Sequence, residues 1–361
     1  MFQTMSQKTL KPLILLSLVL LPTLVAGSNS NCTCDQSDEP SNNNKVILRY
    51  KVVALVIILV SSAIGVCLPI LGKRIPALSP ESNLFFLVKS FAAGVILSTG
   101  FIHVLPDAFE SLTNPCLIKD NPWGKFPFTG LAAMVGSLGT LMIDAFATGH
   151  YRKIHYGKND TVEEENEGDH NGHVHLHTHA THGHAHGAIP VVPGDGLSEL
   201  DRIRYKVTSQ VLEMGIVVHS VIIGISLGTS QSIDTIKPLM AALCFHQFFE
   251  GMGLGGCIAQ ASFKSASTLC MAMFFSLTTP VGIAIGIGIT NVYNENSPTA
   301  LIVQGLLDAV AAGILIYMAL VDLLAQDFMN PKVQSNKRLF LGANIALLLG
   351  AGFMALLAIW A

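Results

Sequence analysis

The sequence predicts an all-α, polytopic membrane protein with eight transmembrane helices, and three observations carry that expectation. Half of the 361 residues are hydrophobic and only 12% are charged, against about 25% charged in a soluble domain. Apolar runs recur at about 46–72, 84–106, 126–147, 207–229, 239–262, 268–291, 299–321 and 338–360, each near the ~20 residues that cross a hydrocarbon core. The alternating strands of about ten residues that a membrane barrel requires are absent. Helices are then the segments that satisfy their own backbone in lipid.

The same composition excludes other classes. A formal net charge of -3 with dispersed basic residues gives no nucleic-acid footprint, so the expected partner surface is the lipid bilayer. Cys67, Cys244, Cys257 and Cys270 lie in apolar runs without CxxC spacing and do not form a disulfide framework. Cys32, Cys34 and Cys116 fall in polar segments, where an oxidising compartment would permit a bridge.

Taken in order, residues 1–27 carry two lysines, a short apolar core ending at a proline, and small residues before Gly27. This is the pattern of a secretory signal peptide; the alternative, an extra membrane helix, has too short an uninterrupted core. Residues 28–45 are expected to be an extracellular segment, with Asn31-Cys32-Thr33 as a glycosylation acceptor. Helices one to three occupy 46–147, a cytosolic loop 148–205, and helices four to eight 206–361. Lys73, Arg74, Arg152, Lys153, Lys158, Arg202, Arg204, Lys206, Lys264, Lys332, Lys337 and Arg338 then fall inside, against Lys119, Lys125 and Lys237 outside. This bias places both termini outside, and the expected address is the plasma membrane. Lys45, Arg49 and Lys51 flank the first helix on the wrong side of that rule.

The loop runs from EEENEGD into HNGHVHLHTHATHGHAHG, and ten of the 13 histidines lie between His150 and His186. It contains nothing apolar enough for a core, so disorder without a ligand is expected. Neutral imidazole binds several transition metals, and His170, His173, His175, His177, His179, His182, His184 and His186 are spaced so that a flexible chain can wrap an ion. A loop that holds metal firmly would hinder release, which favours buffering or sensing over conduction.

The stretch CFHQFFEGMG places His246 and Glu250 four residues apart within an apolar run, on one helix face. His219 lies midway along the preceding segment, at similar depth when antiparallel helices are counted from opposite ends. Two imidazoles and one carboxylate at the membrane midplane form a candidate metal site, since polar groups in a span face a bundle interior and need partners. Glu213, six residues before His219, is a candidate to receive an ion leaving the site. His103 and Asp107 are expected at an entrance near the outer end of helix two, and Asp144 at the inner exit. Asp308 and Asp322, 14 residues apart in helix seven, are expected near one face. Lys89 is expected to snorkel to the inner interface. Gly224, Gly228, Gly251, Gly253, Gly255 and Gly256 are small residues that allow close helix approach.

FAAGVILSTGFIHVLPDA, VLEMGIVVHSVIIGISLG, HQFFEGMGLGG and ILIYMALVDLLA, with the His-rich loop between helices three and four, resemble the plant iron-regulated and zinc transporter branch of the ZIP family. The resemblance covers nearly everything after the leader. It implies a metal path between helices four and five, movement of divalent metal, zinc or iron, into the cytosol, no cofactor or enzymatic activity, and a homodimer. It also implies metal ligands at His219, His246 and Glu250. Other members carry HNxPEG and a QDxPEG-like stretch whose extra carboxylates permit two bridged ions. Here Ser220, Ile223 and Gln247 stand at the corresponding positions, so one ion is expected, with Ser220 and Gln247 as weak neighbours. Loss of both prolines predicts straighter helices. A cation diffusion facilitator exporting zinc would be expected to show six helices and HxxxD, and an intramembrane metalloprotease would need HExxH. This chain offers eight segments and HxxxE at His246 and Glu250, and neither His219 nor His246 is followed by Glu.

Overall fold

The computed structural model describes residues 44–72, 82–118, 122–123, 125–163, 199–290 and 297–359. The leader, the segment up to residue 43, Lys73, Arg74, Lys119 and the histidines from His170 to His186 lie outside the described residues. All regular structure in the described residues is helical. The long helices are α1 (Asn44–Gly72), α2 (Asn83–Ser98, continuing through Thr99–Val104 and Leu105–Leu112), α3 (Phe128–Glu163) and α4 (Glu199–Thr229). They are followed by α5 (Ile233–Ala261), α6 (Ser265–Ile289), α7 (Pro298–Tyr317, continuing through Met318–Ala325 and Gln326–Phe328) and α8 (Lys337–Leu357). The stretches Thr99–Val104 and Met318–Ala325 are π-helical.

Seven of these helices are long and apolar enough to cross a membrane. The eighth is α5, equal to α1 at 29 residues; His246, Gln247, Glu250 and its glycines dilute its hydropathy, and it runs through the bundle interior. Helix α3 continues to Glu163 and α4 begins at Glu199, so helix extends into both flanks of the segment expected as a loop from 148 to 205.

Local chemistry sets the helix ends. Ser82, Ser232 and Ser297 accept hydrogen bonds from the backbone N–H groups of Phe85, Thr235 and Ala300, and Asn336 accepts from Arg338 and Leu339. Each supplies an orphan donor of a first turn with a partner. Ser262 adopts a left-handed conformation, φ 52°, which ends α5 and turns the chain into α6 within three residues.

The eight helices assemble as two groups of four, α1, α4, α5 and α6 in one and α2, α3, α7 and α8 in the other. Each group consists of two glycine-cemented pairs. A side chain at Gly65, Gly251 or Gly255 would overlap backbone between α1 and α5, and one at Gly224, Gly228, Gly282 or Gly286 backbone between α4 and α6. Gly94 and Gly350 join α2 to α8, and Gly136 and Gly313 join α3 to α7. The small residues of α4 and α5 therefore admit α6 and α1 rather than each other, and Gly253 makes only ordinary contact with side chains of α2 and α7.

The outward faces are apolar. Val53, Val56 and Val60 on α1, Met134, Leu138 and Met142 on α3, and Leu341, Leu348 and Phe353 on α8 are exposed, a contiguous coat that suits lipid and not water.

Two lysines depart from the sequence-based expectation. Lys51 is buried and donates to the Gly228 carbonyl at 2.6 Å, placing a cation at the C-terminus of α4, where the helix dipole favours it. That bond accounts for one of the three basic residues on the wrong side of the charge rule. Lys89 does not snorkel: it is 2% exposed and forms an ion pair with Asp327 at 2.9 Å. Helix α7 supplies the counter-charge, which a charge this deep requires.

Candidate metal site

His219 comes from α4, and His246 and Glu250 from α5. Both helices run without a break through these residues, so the four-residue spacing sets His246 and Glu250 on one face. One donor atom from each of the three lies within 4.8 Å of the others, and all three residues are buried. The His219 and His246 ring centroids are 5.8 Å apart.

The donor set fits a divalent metal. Ligand atoms at about 2.0–2.2 Å from an ion stand about 3–4 Å from one another, so side-chain rotation closes the remaining gap. Among the described residues, both ring nitrogens of His219, Nε2 of His246 and both carboxylate oxygens of Glu250 lack a hydrogen-bond partner. Leaving such groups buried and unpaired costs about 1–3 kcal/mol each, and more for a charge. A bound cation would compensate one nitrogen of each imidazole and the carboxylate together.

His103, expected near the outer end of its helix, stands beside this cluster. It is 6% exposed, its ring centroid lies 6.1 Å from that of His246, and its Nε2 has no partner among the described residues. The displacement has two causes. Helix α2 continues through Pro106 to Leu112, so His103 is nine residues from its end, and the π-helical stretch that contains it changes the angular phase of a 3.6-residue helix. A histidine in a membrane segment was visible in sequence; its depth was not.

The other expected residues fall around the cluster. Ser220 and Gln247 are fully buried beside the ligands in sequence, and Ser220 Oγ and both side-chain polar atoms of Gln247 lack partners among the described residues. Glu213 is buried on α4, about 9 Å along the axis from His219. Asp107 is half-buried four residues beyond His103, and Asp308 is buried on α7. Asp144 is half-buried and accepts a hydrogen bond from the Tyr317 hydroxyl at 3.2 Å. Asp322 falls in the π-helical stretch of α7, which alters the phase expected to align it with Asp308.

A buried cluster of imidazoles and one carboxylate inside an eight-helix, lipid-coated bundle defines a membrane metal transporter. Residues 48–358 match the family described as ZIP zinc transporter. The chain is 52% identical over 360 residues to zinc transporter 8 of Oryza sativa subsp. japonica, covering 91% of this chain and 92% of that one. It is 51% identical over 359 residues to the probable zinc transporter 12 of Arabidopsis thaliana, covering 98% and 99%. It is also 53% identical over 319 residues to the rice Fe(2+) transport protein 1, covering 87% and 84%. The chain belongs to the ZIP zinc transporter family, which displaces the cation diffusion facilitator alternative.

Proposed function

We propose that the protein carries divalent metal, zinc or iron, across the plasma membrane into the cytosol, and that the ion passes through His219, His246 and Glu250 with His103 as a fourth donor. The observation that carries this reading is the convergence of buried, unpaired donor atoms within 4.8 Å on α4 and α5. Relatives named for zinc and for Fe(2+) transport support both cargoes. Nitrogen donors with one carboxylate serve several first-row ions, whose order of affinity rather than exclusion governs occupancy.

One ion is bound per protomer. A second dication about 4 Å away would be strongly repelled, and Ser220 and Gln247 offer neutral dipoles in place of the carboxylates that would offset that repulsion. Asp107 lies on the outer approach and Glu213 and Asp144 on the inner one. The His-rich segment, with His170, His173, His175, His177, His179, His182, His184 and His186, acts as a cytosolic metal buffer or sensor. Residues 1–27 direct the chain to the secretory route, both termini lie outside, and the working unit is a homodimer.

The deciding experiment is radiolabelled zinc and iron uptake in yeast lacking its own uptake systems, with metal counting on purified protein that lacks residues 170–187. Uptake with one tightly held ion per chain is the expected result. Two well-occupied ions, or one ion retained unchanged in His246→Ala, would overturn the assignment.

A further inference from the structure

The two helix groups touch along a seam that runs past the metal site, with the three ligands from α4 and α5 on one side and His103 on the other. Side-chain hydrogen bonds cross it. Lys89 of α2 donates to Gln260 Oε1 of α5 at 3.4 Å, and Gln326 of α7 donates to Thr208 Oγ1 of α4 at 3.0 Å. The Lys89 ammonium also stands 5.5 Å from the ring centroid of Tyr205 on α4. All of these contacts lie at one end of the bundle, the end from which the His-rich segment departs.

Thr208 is eleven residues from His219 and Gln260 ten residues from Glu250, so the contacts lie about 15 Å from the site along the helix axes. An ion leaving the site toward that end must pass between α2, α4, α5 and α7. There the seam is filled by the buried Lys89–Asp327 ion pair. By contrast, Lys51 to Gly228, Thr290 to Gly228, Ser61 to Cys244, Ser137 to Gly313 and Tyr317 to Asp144 each stay within one group.

We propose that the Lys89–Asp327 pair with Gln260, Thr208 and Gln326 is the latch that closes the metal path at its inner end, and that release requires its seam-crossing bonds to part. The latch rests on the reading of the protein as a metal transporter. Asp327 cancels the Lys89 charge within the second group, so separating the groups breaks two neutral or singly charged hydrogen bonds and leaves the ion pair intact. A closure built this way opens without stranding a buried charge.

Cys257 is a native reporter. It lies one turn from Gln260, is fully buried, and packs in a cluster with Ala93 and Ile96 of α2 and Leu323 of α7 across the seam. In full-length chains whose other six cysteines are serine, inside-out membrane vesicles are treated with a membrane-impermeant thiol reagent. The double variant Gln260→Leu, Thr208→Val removes the acceptors of these two bonds, and Cys257 is expected to label about tenfold faster than in the parent, the change expected for two hydrogen bonds in a two-state opening. Asp327→Asn, which also unpairs Lys89, is expected to label at least as fast; the double variant carries the test if that chain does not fold. Zinc uptake is measured on the same chains. A parent that transports zinc while the double variant labels at the parental rate overturns the latch. A parent that carries neither zinc nor iron overturns the transport reading instead.

Discussion

Two fully buried polar clusters lie about 15 Å apart along the same helices, and they are built on opposite principles. At one end of the bundle, Lys89 is paired with Asp327 and bonded to Gln260. At the midplane, His219, His246 and Glu250 face one another with ring nitrogens and carboxylate oxygens unpartnered among the described residues. Burial is equally complete in both, so depth does not distinguish a structural polar group from a binding one. The distinction lies in whether the chain supplies its own counter-charge. A self-compensated cluster holds shape, whereas an uncompensated one is completed by something from outside the chain.

The largest expected effect is at the midplane. Glu250→Gln and His219→Ala should each reduce metal uptake to background while surface expression is retained, because each removes a donor that offsets the ion's lost hydration by several kcal/mol. Near-normal uptake in either variant would break the contrast between the clusters. The Lys89 cluster should respond in the opposite sense. Lys89→Met leaves Asp327 buried without a counter-charge and should destabilise the fold by about 3–5 kcal/mol, read as a lower melting temperature and poor expression. Glu250→Gln replaces a buried carboxyl group that lacks a partner among the described residues and should leave the metal-free melting temperature equal or higher, so a fall like that of Lys89→Met would erase the distinction.

His103 sharpens the comparison, because it reaches the midplane cluster from the other helix group. His103→Ala should raise the metal concentration for half-maximal uptake about tenfold and leave the folded state intact, in the range seen when a group supporting a metal site is lost. An unchanged concentration dependence would remove it from the site. The smallest effect on uptake itself is expected from deleting residues 170–187: transport should persist, with a weakened response to excess metal, followed as uptake over time after a zinc load. A correctly delivered but inactive deletion would place those histidines on the conducting route.

Much of the midplane site was legible in the sequence. His246 and Glu250 sit on a regular α-helix, so a spacing of four residues reports a shared face, and His219 lies at matching depth on the antiparallel neighbour. His103 was legible as an intramembrane histidine, and its proximity to His246 was not. Its helix runs on past Pro106 and passes through a π-helical stretch, and neither departure has a periodic signature. Lys89 was misplaced for a related reason. Its partner Asp327 is 238 residues away, and nothing near Lys89 in the chain distinguishes a paired lysine from a snorkelling one.

By itself the sequence determined the fold class, the helices and the shared face of His246 and Glu250, which depend on composition or on spacing within one helix, and its motifs carried the resemblance to the family. Only the tertiary structure decided that α4 packs on α6 and α5 on α1, that His103 stands beside His246, and that Lys89 is neutralised by Asp327. These outcomes depend on which glycine faces meet in the bundle. Every outward face is apolar and lipid accepts any of them, so contact shape and polar pairing, and not hydropathy, choose the neighbours.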